Sequence, residues 1–132
     1  MKDVIFDEFQ NSVDESLLRH RSVLDILSKL QESSARINRA VAKSVTNCGC
    51  VQIQASKQKT NFDEDTLDTI SEALKTHLKG KLCENCRDVI QNEMGNNLFY
   101  LAALCNVLDV NLYDILLREY DKINTLGKYT LR

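Results

Sequence analysis

Apolar residues return at steps of three and four along most of this chain, the spacing that stacks side chains on one face of an α-helix. Residues 3 to 19 carry Val4, Ile5, Phe9, Val13, Leu17 and Leu18, a loose first helix with a break near His20-Arg21. Ser22-Val23-Leu24-Asp25 then offers a serine cap with an acid three residues on. From there Val23, Leu27, Leu30, Ser34, Ile37, Val41 and Val45 form one stripe and predict a long second helix. Asn47-Cys48-Gly49-Cys50 ends it, because Asn and Gly adopt the turn conformations a helix stop requires. Val51-Gln52-Ile53-Gln54 alternates apolar and polar, as a short extended piece does, and a polar loop follows.

A third helix is expected from Thr60 or Asn61, with Asp63, Glu64 and Asp65 in its first turn, where the helix dipole favours acids. Leu67, Ile70, Leu74 and Leu78 make its apolar side, and Gly80 is its stop. The fourth helix runs from Cys83 or Glu84 to Leu108. Its core-facing stripe reads Ile90, Met94, Leu98, Leu101, Cys105 and Leu108, with Glu93, Asn96 and Tyr100 on a neighbouring face. Asn111 caps a final helix carrying Leu112, Ile115, Leu116 and Ile123, which ends before Gly127.

Composition supports the same reading. The 132 residues contain no proline, no tryptophan and four glycines, so there is little to break helices, and 43% apolar content suffices for one core. The expectation is a single all-α domain over residues 1–132. The net charge of −2 calls for neither nucleic acid nor an anionic membrane as partner. With no apolar leader and no run of spanning length, the chain is expected in the cytoplasm.

Five cysteines in such a chain argue for thiols or metal ligands rather than a disulfide scaffold. Cys48-Gly49-Cys50 and Cys83-Glu84-Asn85-Cys86 each lie where a helix ends or begins. If those ends meet, Cys48, Cys50, Cys83 and Cys86 can surround one tetrahedral Zn²⁺. An iron–sulfur cluster, a redox dithiol or disulfide, and four ordinary thiols are the alternatives. Cys105 falls on an apolar stripe and reads as core. His20 and His77 lack partner spacing, and Tyr113, Tyr120 and Tyr129 read as packing residues.

Glu93-Met94-Gly95-Asn96-Asn97-Leu98-Phe99-Tyr100-Leu101, followed by Leu108-Asp109-Val110-Asn111-Leu112-Tyr113, resembles the second half of the MazG-like all-α nucleoside triphosphate pyrophosphohydrolases. The likeness covers residues 89 to 126 well and 9 to 46 weakly. Residues 47–82, a cysteine-bearing elbow with an extra helix, depart from the family pattern. The resemblance implies a helical bundle of four to five helices, in which E-E-x-x-E on one helix and E-x-x-D on another hold Mg²⁺ against a nucleotide triphosphate.

Aligned on Leu27-Ser28-Lys29-Leu30-Gln31-Glu32-Ser33-Ser34-Ala35-Arg36, the first motif keeps Glu32, while Ser33 and Arg36 replace its other acids. In the second, Glu93 is kept and Asn96 stands in the aspartate position. A permanent cation at Arg36 competes with Mg²⁺ for the remaining carboxylates. A second register, Glu64-Asp65-Thr66-Leu67-Asp68, saves more acids, but these already have a capping explanation. The resemblance therefore implies a degenerate, non-catalytic relative with a binding or regulatory role and a nucleotide as candidate ligand. The alternatives are a working Mg²⁺-dependent pyrophosphohydrolase and a metal- or redox-responsive interaction module.

Apolar residues off the main stripes, at Leu24, Ile26 and Ala40 and at Val89, Phe99, Leu104 and Val107, ask for a second buried side. They predict a homodimer built from the long helices, which the resemblance also implies.

Overall fold

The computed structural model describes residues 2–59, 66 and 74–127. Four α-helices dominate it: α1 (Lys2–Ser16), α2 (Val23–Lys43), α3 (Glu84–Val107) and α4 (Leu112–Leu126). A π-helical turn, Ser44–Cys48, extends α2, and two short strands, β1 (Val51–Ile53) and β2 (Leu78–Gly80), lie between the long helices. Among the described residues the fold is all-α with one small antiparallel hairpin, in which Val51 pairs with Gly80 and Ile53 with Leu78. Among the described residues no single helix is long and apolar enough to cross a membrane.

Local chemistry sets the helix starts. The Ser22 side chain accepts from the Leu24 amide, Asn111 from Asp114, and the Cys83 sulfur from Cys86. α2 packs along α3, and α1 packs against both α3 and α4. The core they enclose is small: Val13, Leu17, Ile26, Ala102, Ala103, Cys105 and Leu112, edged by Phe6, Phe9, Phe99 and Leu104. One polar residue joins it. Gln10 on α1 is buried, and its side chain bonds Asn106, Val110 and Leu112 across the corner between α3 and α4.

The phase of the long helices corrects the sequence reading. On α2 the buried positions are Ile26, Ser33 and, in the following turn, Ser44, while Val23, Leu27 and Val41 face outward. On α3, Ile90 and Cys105 are buried as expected, but Met94, Leu98, Leu101 and Leu108 are exposed. The small residues Ser33, Ala102 and Ala103 are buried in their place, and small side chains suit close helix packing. Of the residues expected to serve a second interface, Ile26 is buried in this chain's own core, and Phe99 and Leu104 pack half-buried against it.

The expected third helix lies mostly outside the described residues, as do Glu64, Asp65 and Asp68 of the second acidic register. Its expected last turn does not form. Residues 74–77 are non-helical, Leu78 belongs to β2, and the hairpin continues through a Gln54 amide donating to the His77 carbonyl at 2.8 Å. Gln58 holds the loop by bonding both the amide and the carbonyl of Lys75. Gly80, predicted as a helix stop, does another job. It adopts φ +91°, and a Cβ there would sit 2.7 Å from the Cys50 carbonyl oxygen. That close approach fixes the strand carrying β2 against the Cys50 backbone.

Candidate metal centre and inter-helix groove

The two cysteine pairs meet. The Sγ atoms of Cys48, Cys50, Cys83 and Cys86 all lie within 4.8 Å of one another, and could hold a metal ion. Each pair is delivered by a defined device. At the end of α2 the π turn closes with Gly49 in the left-handed conformation, φ 76°, its amide donating to the Ser44 carbonyl at 2.9 Å. The reversal directs Cys48 and Cys50 to one side despite their close spacing. At the start of α3, Cys83 is the N-cap and Cys86 follows one turn later. The hairpin joins the two halves, since Val51, next to Cys50, pairs with Gly80, three residues before Cys83.

Backbone amides support the sulfurs. The Cys86 amide donates to Cys83 Sγ at 3.4 Å, and the Cys50 amide to Cys48 Sγ. With further donation from the Cys86 thiol, this lowers the Cys83 pKa to about 7, where its thiolate is populated at neutral pH. Cys86 is pushed up to about 12, first by its hydrogen bond to Cys83 and then by burial. At Cys48 the Cys50 amide acts to lower the pKa, but hydrogen bonds with the Cys83 and Cys50 sulfurs outweigh it and the net direction is up. Four sulfurs held this close together are a candidate ligand set for a cation. A tetrahedral zinc with Zn–S bonds of about 2.3 Å needs sulfurs about 3.8 Å apart. Cys48 and Cys83 already stand at 3.7 Å. Cys105 is elsewhere, buried in the core, with burial raising its pKa.

The second set of candidate residues lies along the contact of α2 with α3. Lys29, Glu32, Ser33, Arg36, Asn96 and Tyr100 line an open cavity of about 190 Å³. Glu93 lies in an adjoining cleft with Arg36, Arg39, Ala40, Lys43 and Val89. Glu32, Ser33, Arg36 and Asn96 are thus brought together, with Glu93 one turn away along α3. Arg36 Nε donates to Glu32 Oε1 at 3.2 Å, and Lys29 Nζ lies 3.6 Å from the other oxygen. Arg36 first and Lys29 second hold the Glu32 carboxyl below its ordinary pKa. One Glu93 oxygen is buried without a hydrogen-bond partner among the described residues.

This groove does not fit the Mg²⁺ that the family resemblance implies. A hard cation needs several free oxygens. Here Glu32 is engaged by two cations, the third acid position holds Arg36 itself, and Asn96 brings a neutral carboxamide. Asn97, one position on, does structural work that sequence reasoning does not find: its Nδ2 donates to both Ser33 and Ser34 hydroxyls at 3.0 Å, pinning α3 to α2. Only a knowledge of which helix faces pair would have marked it. Comparisons with protein-family models, curated proteins and solved structures found no match. The class that fold and site define is an all-α domain whose two longest helices meet at a four-cysteine cluster.

Proposed function

We propose that this chain is a degenerate MazG-like domain that has lost nucleotide hydrolysis and acts in the cytoplasm as a binding or regulatory protein, its helical hairpin closed by one structural zinc ion. The observation that carries the reading is the convergence of Cys48, Cys50, Cys83 and Cys86 within 4.8 Å. An all-sulfur set favours zinc or an iron–sulfur centre over harder cations, and its place at helix ends suits a structural role. The loss of hydrolysis is supported by the Arg36–Glu32 ion pair, which engages one of the two carboxylates that the resemblance leaves to gather a metal. A nucleotide is the ligand class the resemblance suggests for the groove, with Lys29 and Arg36 meeting phosphate oxygens directly. The partner is a second copy of the chain.

Elemental analysis of protein purified under reducing conditions tests the metal. One zinc per chain, lost in a variant with all four cysteines changed to serine, is the expected result. Protein without metal whose four thiols all react freely would overturn it.

A further inference from the structure

The four cysteines differ in access. Cys48 is exposed, whereas Cys50, Cys83 and Cys86 are half-buried. Cys48 Sγ also stands 3.7 Å from Cys83 Sγ, a contact that runs between the two pairs rather than within either. Cys50 turns its thiol back to the Ser44 carbonyl at 3.8 Å, inside the π turn. A disulfide holds its sulfurs about 2.05 Å apart with a torsion near a right angle. Cys48 and Cys50, separated by Gly49 alone, reach that geometry only through a small, strained ring. Cys48 and Cys83 belong to different elements, and rotation of the exposed side chain closes the gap between them.

On the reading that the cluster holds zinc, we infer that Cys48 and Cys83 are a reversible redox pair: hydrogen peroxide joins them in a disulfide that expels the metal and keeps α2 tied to α3. Every sulfur that binds zinc is a thiolate, so access decides which one reacts. The Cys48 thiolate attacks peroxide. An S–O bond forms, the O–O bond breaks, hydroxide leaves and a sulfenic acid results. The Cys83 thiolate then attacks that sulfur; the S–S bond forms, the S–O bond breaks and a second hydroxide leaves. Two electrons pass from the two thiolates to one peroxide, and both hydroxides take protons from solvent to become water.

Metal and fold respond differently. Oxidation removes two of the four ligands and two of the negative charges facing the ion, and Cys50 and Cys86 alone do not make a tetrahedral site. The disulfide meanwhile links residues 35 apart in sequence, so it constrains the unfolded chain where the metal did before. The end of α2 therefore stays on the start of α3 once the metal has left. In a reducing compartment disulfides are rare, and those that form are transient and often redox-sensing. A dithiol, itself oxidised to a disulfide, restores both thiols, and the site takes zinc again with release of their protons.

The sequence supplies a readout. Trypsin, cutting after Lys43, Lys57, Lys81 and Arg87, leaves Cys48 with Cys50 in one peptide and Cys83 with Cys86 in another. The zinc-loaded full chain receives one equivalent of hydrogen peroxide; a zinc-binding dye reads the metal released, and digestion without reductant followed by mass spectrometry reads the bonds. The expected result is loss of zinc in proportion to peroxide, with the two peptides joined through Cys48 and Cys83. Helical circular dichroism should be unchanged, and dithiothreitol with added zinc should restore the metal. Peptides that stay separate, with internal disulfides or sulfinic acids, would overturn the pair, as would peptides still joined in Cys48→Ala. Joined peptides with zinc retained would overturn the release. The same treatment of metal-free protein separates this inference from the zinc reading beneath it. A chain that never holds zinc overturns the site and its release, while the cross-link, formed or not, still decides the pair.

Discussion

Cys48 Sγ stands 3.7 Å from Cys83 Sγ, though 35 residues separate them along the chain. Among the described residues no regular element carries the chain directly from one to the other. The contact depends on the π turn, the left-handed Gly49, the short hairpin and the cap of α3 all ending in register. It closes the C-terminal end of α2 against the N-terminal end of α3, a place where the core, centred on Ile26 and Ala102, does not reach.

A metal bound there adds its binding free energy to folding, because the unfolded chain has no such site. At free zinc a thousandfold above the dissociation constant the gain is about 4 kcal/mol. For a domain of this size, chelation with EDTA should lower the melting temperature by about 10 °C or more. Differential scanning calorimetry of the loaded and stripped protein measures it, and zinc added back should restore the transition. Unchanged melting after complete removal of the metal would count against a structural role.

The stripped protein should also show one cysteine ahead of the others. With the Cys86 amide donating to its sulfur, Cys83 has a pKa near 7, while Cys86 titrates at about 12. The thiolate is the nucleophile, so alkylation of Cys83 by iodoacetamide should rise with pH and reach half its plateau near pH 7. Cys86 should stay slow throughout that range. Peptide mapping of the metal-free protein over pH 5.5–9 reads both rates. A Cys83 profile centred above pH 8.5 would show that the amide does not hold the thiolate.

Much of this site was legible beforehand, and the reason is local. Two close cysteine pairs beside Gly49 and at a helix start announce themselves by spacing. Ser22 and Asn111 likewise mark helix starts, because capping involves neighbours in sequence. The phase of α2 and α3 was not legible. Both helices carry apolar residues on more than one stripe, and periodicity alone cannot say which stripe meets the chain's own core. Ser33 and Ala102 lie buried where larger apolar neighbours do not, a property of the pairing of helices rather than of either sequence. The same holds for Gln10, whose partners lie about a hundred residues away, and for Leu78, drawn from the expected helix into a strand by pairing with Ile53.

Groove chemistry gives a prediction about hydrolysis. With Arg36 and Lys29 on Glu32, the wild-type protein should not convert any deoxynucleoside triphosphate to its monophosphate at about 1 per second, an ordinary enzymatic rate. Replacing Arg36→Glu, Ser33→Glu and Asn96→Asp together removes the competing cation and restores acids around one cavity. The triple variant should gain Mg²⁺ affinity in a calorimetric titration. If it binds Mg²⁺ no better than wild type, the assignment of Glu32 and Glu93 to one former site is wrong.

Gln10 offers a test of what holds α1 to the rest. Its Nε2 donates to Asn106 Oδ1 at 3.0 Å and to the Val110 carbonyl at 2.9 Å, and its Oε1 accepts from the Leu112 amide at 2.9 Å. Asn106 Nδ2 returns a bond to the Gln10 carbonyl. One side chain therefore satisfies two backbone groups of the turn between α3 and α4, where the helix ends leave them without partners. Gln10→Leu keeps similar volume but orphans the buried Leu112 amide and the partly buried Val110 carbonyl. Each orphaned group costs about 1–3 kcal/mol, so a loss of about 3 kcal/mol is expected in urea unfolding with the denaturant slope unchanged. Gln10→Glu keeps the acceptor for Leu112 but sets carboxylate oxygens against the Val110 carbonyl, and should be destabilised too, the more so as pH rises and the carboxyl ionises. The four cysteines are not among the partners of Gln10, so zinc content should be the same in all three proteins. A change below about 0.5 kcal/mol for Gln10→Leu, within the range of ordinary surface substitutions, would mean that water or a shifted α4 replaces these bonds at little cost.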